Sequence, residues 1–151
     1  MADTPDPVTA NERIRAARER AGLEHGEMAD KVGISWEEYW DIEGFEEDVW
    51  CCHSFDTLHR LAQALGLTLL GILEGDDSVD PAESMSFADF RSAVAESVRA
   101  SGGDADAWGE RAGWDVEPVL RDPEAFWKRC PDELRDVANA AGIDWRAVLP
   151  K

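Results

Sequence analysis

Two thiols and an imidazole occur in succession at Cys51, Cys52 and His53, and side chains of these types could bind a metal ion. Thiolates and imidazoles are ligands that Zn²⁺ prefers in proteins. Adjacent cysteines do not easily bind one tetrahedral ion together, and no second Cys-x-x-Cys or His-x-x-x-His pair follows in the sequence. The pattern therefore predicts ordinary thiols, in a loop or half-buried, with no metal and no cofactor.

Catalytic patterns are missing from the sequence as well. Cys130 has no obvious histidine partner, and the chain contains no nucleophile elbow, phosphate-binding loop or paired-carboxylate signature. The acidic residues are expected on the outer faces of helices. The sequence therefore predicts a protein that is not an enzyme.

Acidic residues dominate the composition: 33 Asp and Glu stand against 15 Lys and Arg, a formal net charge of −18. Both halves share this excess. Because phosphate-backbone binding depends on Lys and Arg, the charge disfavours nucleic acid as a partner. Six carboxylates are expected on the outward face of one predicted helix and in the stretch just after it, at Glu37, Glu38, Asp41, Glu46, Glu47 and Asp48.

Seven tryptophans are many for 151 residues. Trp36 and Trp40 have i, i+4 spacing on the flank of a predicted helix whose inward positions are Tyr39 and Ile42. Two interpretations stay open: residues 45–50 or the second half cover this pair, or the pair is an exposed aromatic patch that meets a partner. Trp127 is ambiguous, and three others are predicted in the core: Trp108, Trp114 and Trp145.

A folded, cytoplasmic protein is the expected class. The hydrophobic fraction of 44% supplies enough apolar surface for a core. No apolar run approaches the roughly 18 residues that span a membrane, and the N-terminus lacks the basic start of a secretory signal. An odd number of cysteines, 3, fits reduced thiols rather than a disulfide framework.

Helical periodicity predicts an all-α first half after a flexible leader at residues 1–8. Capping boxes at Thr9–Glu12 and Ser35–Glu38 mark two helix starts, and Gly33 and Gly66 mark helix ends. Residues 44–53 are predicted to be irregular. Helices are expected over residues 9–21, 26–32, 35–42, 55–65 and 68–73, followed by a linker at 74–85.

The second half repeats this pattern, which indicates a weak internal duplication. A shift of 80 positions places Ile14 on Val94 and Gly33 on Gly113, and a shift of 76 places Leu58 on Leu134 and Gly66 on Gly142. The first half thus has about four extra residues near its irregular stretch. The alternative is that any two short helical bundles share such spacing.

Residues 12–73 resemble the lambda-repressor-like, XRE-type helix-turn-helix family, and residues 87–149 resemble a weaker second copy. The resemblance lies in residues 12–23, 28–35, 42–43 and 57–67, where Ala29 and Gly33 match the close helix crossing and the turn of the motif. It implies two tandem five-helix bundles, at residues 9–73 and 86–151, packed as a pseudo-dimer with approximate two-fold symmetry.

The resemblance also assigns the surface on which this family binds DNA. It places His25 where a backbone-contacting Gln is usual, and it places five residues on the outward face of the recognition helix: Trp36, Glu37, Glu38, Trp40 and Asp41. Readers of DNA normally offer neutral polar or basic side chains there. Carboxylates facing phosphates at roughly 4 Å repel by about 1 kcal/mol per pair even in water, so this face is expected to contact protein.

Arginines on the first helix are the remaining candidates for DNA contact: Arg13, Arg15 and Arg18, with Arg20 beside them. One interpretation pairs them with Glu12, Glu19, Glu24 or carboxylates elsewhere. The other makes them a minority phosphate-binding face. A basic stripe across Arg13, Arg18, Arg20 and Arg60 would favour the second.

Three functions follow as expectations. The first is a regulatory protein without enzymatic activity that resembles XRE-type regulators and contacts a protein partner, as a monomeric pseudo-dimer or a homodimer. The second is a DNA-binding repressor of the XRE type. The third is an acidic mimic of DNA that occupies a nucleic-acid-binding protein, for which carboxylates in phosphate-like rows would be evidence. No membrane partner is expected.

Overall fold

The computed structural model describes residues 8–75 and 85–149, and this part of the chain is all-helical without a β-strand. The predicted all-α class is confirmed for these residues. The predicted leader, except for Val8, and residues 76–84 of the predicted linker lie outside the described residues.

Six helices form the first half, and sequence signals fix most of their ends. Glu12 accepts a hydrogen bond from the Thr9 backbone N–H (3.1 Å), and Glu38 accepts one from Ser35 (2.8 Å). Gly33 adopts the left-handed conformation that ends a helix, with φ of 78°. The helices are α1 Ala10–Arg20, α2 His25–Val32, α3 Trp36–Gly44, α4 Glu46–Cys51, α5 Phe55–Leu65 and α6 Leu69–Glu74.

The prediction of an irregular stretch over residues 44–53 is wrong, because Glu46–Cys51 is helical. Three acidic residues occupy the first turn of α4, where the helix dipole favours negative charge. Val49 is fully buried, and Trp50 is partly buried against the second half. Tertiary packing therefore stabilises a helix too short for periodicity to reveal.

The second half follows a similar order. Pro118 lies in the first turn of its helix and Pro123 begins the next element, as the restrictions on proline require. The helices are α7 Phe87–Ala100, α8 Ala105–Ala112, α9 Glu117–Arg121 and α10 Pro131–Ala140, with 3-10 helices at Pro123–Lys128 and Trp145–Val148. Helices α2 and α8 each have 8 residues and lie 80 positions apart.

Buried apolar residues of both halves form one contiguous core, in which Tyr39, Phe55, Phe90 and Phe126 are fully buried. Trp108 and Trp145 lie in this core, as predicted. Trp114 does not: it is half-buried, because its indole N–H donates to the Asp136 carboxylate (3.0 Å) at the surface. Trp127, left open by the sequence, packs against Phe87 and His59.

Two pairs of elements make the most extensive contacts between the halves. Helix α4 packs on α10, and the 3-10 helix Pro123–Lys128 packs on α5. Arg135 lies over the Trp50 ring, with Cζ 4.7 Å from the ring centroid, and the His59 and Trp127 centroids are 5.4 Å apart. Trp50 and Trp127 are each the fifth residue of their helix, and so are His59 and Arg135. The contacts are therefore reciprocal.

Candidate functional site

Trp36 and Trp40 on α3 form an exposed pair of stacked aromatic side chains, each 49% exposed. Their rings stack with centroids 5.1 Å apart and planes inclined by 26°. The His25 ring continues the row, 5.0 Å from Trp40. Neither residues 45–50 nor the second half covers the pair, so the open-surface alternative from the sequence describes this structure. We call Trp36, Trp40 and His25 the aromatic face.

Local sequence explains how the aromatic face is positioned. Ser35 caps α3 by accepting from the Glu38 N–H (3.1 Å), which fixes where the helix begins. From there the i, i+4 spacing places Trp40 one turn beyond Trp36. Helix α2 passes beside them, where a Cβ built at Gly26 would lie 3.9 Å from Trp36 Cδ1. The first indole therefore lies next to the start of α2, at a distance that an alanine at position 26 would also allow.

A buried carboxylate, Glu43, lies beneath the aromatic face. It accepts hydrogen bonds from Arg18 Nε (2.5 Å), Arg18 Nη2 (3.1 Å) and the Tyr39 hydroxyl (2.6 Å). His25 Nε2 is 3.0 Å from Glu43 Oε2. Because His25 both pairs with Glu43 and packs on Trp40, the carboxylate orients one member of the aromatic face. We call Glu43, Arg18, Tyr39 and His25 the Glu43 network.

The network changes the acidity of its members. Burial alone would raise the pKa of Glu43, but the hydrogen bonds from Arg18 and Tyr39 and the charges of Arg18 and His25 outweigh it and lower that pKa. Burial, followed by the hydrogen bond to Glu43, raises the pKa of Tyr39. Glu43 is therefore ionised and Tyr39 protonated at neutral pH, so the network is a fixed hydrogen-bonded unit.

Carboxylates surround the aromatic face but do not all share it. Glu37 and Glu38 are exposed on α3, and Asp41 is partly buried. The Ser35 backbone hydrogen bond lowers the pKa of Glu38, so this carboxyl stays ionised. Glu46 instead accepts from the Asn11 N–H (3.1 Å) and the Trp50 indole N–H (3.0 Å), which fixes it at the start of α4. The acidic rim of the aromatic face is thus supplied mainly by α3.

The first-helix arginines are used within the fold. Arg13 donates to the carbonyls of Ile72 (2.7 Å) and Leu73 (2.8 Å) near the end of α6. Arg15 donates to the Glu43 carbonyl (2.9 Å), and Arg18 is buried in the Glu43 network. The carboxylate partner of Arg15 and Arg18 is Glu43, one of the carboxylates elsewhere in the chain that the first interpretation allowed.

Arg60, which would belong to the basic stripe considered from the sequence, is also not a free charge. Its guanidinium pairs with Asp56 (3.2 Å) and donates to the Val32 carbonyl at the end of α2. With Arg18 buried and Arg13 bound to α6, only Arg20 of the four stripe residues lacks a partner among the described residues. Because Arg18 is buried and Arg60 is paired with Asp56, these four arginines do not form the basic stripe that would favour DNA.

The two adjacent cysteines lie at the end of α4 rather than in a loop, because α4 extends to Cys51. Both are exposed, and their sulfurs are 3.4 Å apart. Within the described ranges, no group of three or more His, Cys, Asp and Glu is arranged to bind a metal ion. Two thiols close together are thus the local chemistry available here.

Comparison with protein-family models, curated proteins and solved structures finds no match. The family resemblance therefore depends on the residues of this chain alone. In the part of the chain that the structure describes, no helix has the length and apolar character to cross a membrane.

Sequence reasoning missed the buried acids, since it assigned carboxylates to outer helix faces. Glu43 is buried in the first half and Glu133 in the second. A signal for Glu43 was present: it follows the inward-facing Tyr39 by four positions, and residues four apart share one face of a helix. Its partner, Arg18, is remote in sequence, so the network itself emerges only from the fold.

Proposed function

We propose that this chain is a regulatory protein without enzymatic activity, built from two helix-turn-helix-like units that form an internal pseudo-dimer. We further propose that it binds a basic protein partner through the aromatic face of α3. Three features of the chain support this proposal: the motif geometry of the first half, the reciprocal contacts between halves, and the chemistry of the exposed tryptophans.

The first supporting feature is the arrangement of helices α2 and α3. A turn of three residues, starting at the left-handed Gly33, joins them, and both helices pack closely together. Ala29 is buried at position five of α2. In helix-turn-helix domains the second helix presents its outer face to the ligand. The same face of α3 here presents Trp36 and Trp40.

The second supporting feature is the reciprocity of the contacts between the two halves. In a two-fold interface, when one position contacts a second, the second contacts the first in return. Here the fifth residue of α4 meets the fifth residue of α10, and the corresponding 3-10 helix meets α5 through the same positions. These reciprocal pairs, together with one contiguous core, support an internal pseudo-dimer.

The observation that carries the binding proposal is the exposed Trp36–Trp40 stack. Tryptophan is the residue most enriched among binding hot spots, and a rigid pair loses little conformational freedom when it is covered. The indole faces and the nearby Glu37 and Glu38 carboxylates both attract cations. A partner surface rich in Arg or Lys is the complement of this face.

The experiment isolates a partner by cross-linking in native lysate, and the purified partner is then titrated with wild-type protein and with Trp36→Ala/Trp40→Ala. Loss of two hot-spot side chains is expected to raise Kd at least about 30-fold, corresponding to roughly 2 kcal/mol. Kd should also rise with added salt, because the charges that meet at the interface are screened.

Phe45→Ala is the matched control, since Phe45 is an exposed aromatic (58%) just beyond α3 and outside the stack. It should change Kd less than about threefold. Circular dichroism verifies that each variant is folded. Equal affinity of the double variant and wild type would contradict the proposal. So would sub-micromolar binding of random or genomic DNA at low salt that charge reversal at Arg13 and Arg15 abolishes.

A further inference from the structure

Cys51 and Cys52 form a pair of thiols with an unusual position in the fold. Both side chains are exposed, and the two sulfurs are 3.4 Å apart, within hydrogen-bond distance for thiols. The pair ends α4, directly after Trp50, which contacts α10 of the other half. A chemical change at the pair is thus adjacent in the chain to the contact between halves.

We propose that Cys51 and Cys52 are a redox-sensitive dithiol, which hydrogen peroxide oxidises to a vicinal disulfide and which thiols reduce again. Formation of the disulfide removes Cys51 and Cys52 from helical geometry and loosens the contact of α4 with α10. This inference is independent of the partner-binding function proposed for α3.

The reaction balances without a metal or cofactor. The Cys51 thiolate attacks one oxygen of hydrogen peroxide, the O–O bond breaks, and Cys51 becomes a sulfenic acid while hydroxide leaves and is protonated to water. The Cys52 sulfur then attacks the Cys51 sulfur, forms the S–S bond and expels the second oxygen as water. In total, the two thiols lose two hydrogens and peroxide is reduced to two waters.

The neighbouring groups assign the two roles. The hydrogen bond to Cys51, followed by partial burial and the Asp48 charge, raises the pKa of Cys52 to about 11. Cys52 therefore keeps its proton, and we assign the first attack to the other sulfur of the pair, that of Cys51. Asp48 lies 3.8 Å from the Cys52 sulfur, and Glu46 and Glu47 precede it in α4. This acidic surrounding repels anionic oxidants, whereas hydrogen peroxide is neutral.

Geometry links oxidation to the helix end. Cys52 donates its backbone N–H to the Asp48 carbonyl (3.1 Å), which completes the last turn of α4. Adjacent Cα atoms are about 3.8 Å apart across a trans peptide, below the range of about 4.4–6.8 Å that disulfides prefer. The ring therefore forms only with local backbone change, and a strained, exposed disulfide is readily reduced.

Cys130 differs from the adjacent pair in its burial and in its expected reactivity. It is half-buried at the start of α10, and burial raises the pKa of its thiol. A thiol of this kind reacts slowly with peroxide. It is the third cysteine of the chain, so Cys130→Ser leaves the adjacent pair as the only thiols.

The experiment treats full-length protein with hydrogen peroxide and follows intact mass, peptide mapping and amide hydrogen exchange. Wild type and Cys130→Ser should each lose two hydrogens while remaining monomeric, with the bond mapped between Cys51 and Cys52. Exchange in α4 and in the facing part of α10 should rise at least tenfold and return after dithiothreitol. Cys51→Ser and Cys52→Ser should show neither the ring nor the exchange change.

Phenylarsine oxide offers a second readout of the thiol geometry, since it condenses with two neighbouring thiols and releases one water. It should add once to wild type and to Cys130→Ser, and not to either single variant of the pair. Three results would overturn the inference: intermolecular disulfides as the main product, a bond to Cys130, or a vicinal disulfide that leaves exchange in α4 and α10 unchanged.

Discussion

Glu43 is the residue on which the first three helices converge. It belongs to α3, accepts from Arg18 of α1 and lies 3.0 Å from His25 of α2. A carboxylate removed from water costs free energy unless each oxygen is compensated, and here Arg18 and Tyr39 compensate both. The network therefore holds the aromatic face to the body of the molecule as well as stabilising the fold.

The substitution Glu43→Gln should lower the free energy of unfolding at pH 7 by about 3–5 kcal/mol, the range observed when one partner of a buried ion pair is removed. The cost arises because the Arg18 guanidinium stays buried without a counter-charge. Urea unfolding monitored by circular dichroism measures the change. A loss below about 1 kcal/mol would show that water or another group compensates Arg18.

The same variant has a defined pH signature. Because the folded-state pKa of Glu43 is lowered from 4.5, its contribution to stability is complete above that value and is lost as pH falls through the lowered folded pKa. Wild type should lose this increment on acidification, and Glu43→Gln should not. Parallel pH profiles for the two proteins would contradict this assignment.

Glu133 is a control with the opposite sign. Burial raises its pKa above 4.5 despite Arg129 at 3.5 Å, so the folded state binds the proton more tightly and stability falls as pH rises through that range. Glu133→Gln should therefore stabilise the protein at pH 7.

At the scale of the elements, the sequence predicted helices where local signals agree with packing. The capping box at Ser35–Glu38 and the glycine at position 33 mark the ends of α3 and α2 as the structure has them. The sequence did not predict α4, because its six residues include Val49 and Trp50, which are not strong helix formers. What stabilises α4 is contact with α10, which begins 85 positions further along the chain (131 − 46), and local periodicity contains no such information.

Gly109 provides the element-scale prediction. It is the fifth residue of α8, as Ala29 is of α2, and a Cβ at this position would lie 2.5 Å from the Trp114 carbonyl oxygen. Although alanine is the better helix former by about 1 kcal/mol, the clash is with backbone, so Gly109→Ala should lower stability by about 1–3 kcal/mol.

Thermal unfolding followed by circular dichroism measures this effect, with Gly44→Ala as the control, because a Cβ there meets nothing within 4 Å. Gly44→Ala should change the free energy of unfolding by less than about 1 kcal/mol. An increase in Tm for Gly109→Ala would show that α8 and the Trp114 backbone move apart freely.

At the scale of the whole molecule, matching shifts in the sequence predicted a repeated order of helices, and the family resemblance implied a pseudo-dimer, but neither identified the residues through which the halves meet. Two pairs of residues make this contact: Trp50 of the first half with Arg135 of the second, and His59 of the first half with Trp127 of the second. None of these residues falls in the glycine and leucine positions whose spacing predicted a repeat. Interface residues are selected by the opposite half, so the periodicity of their own helix does not identify them.

The net charge of −18 also acts at this scale, because two acidic halves share one core and their repulsion remains in the folded state. Added salt screens exposed charges beyond about 10 Å at 0.1 M and leaves the buried Glu43 network nearly unaffected. The exposed pairs that salt weakens, such as Arg121–Glu117, contribute little. Screening of the repulsion should therefore dominate.

Tm should consequently rise with sodium chloride between about 0.01 and 0.15 M, by roughly 2–4 °C for each kcal/mol of repulsion removed. Scanning calorimetry measures the rise, and equal osmolality of sucrose separates screening from general cosolute effects. Glu37→Gln/Glu47→Gln removes two exposed charges and should give a higher Tm at low salt with a shallower salt dependence. A Tm that is independent of ionic strength, or that falls with salt, would mean that local ion pairs outweigh the repulsion between the acidic halves.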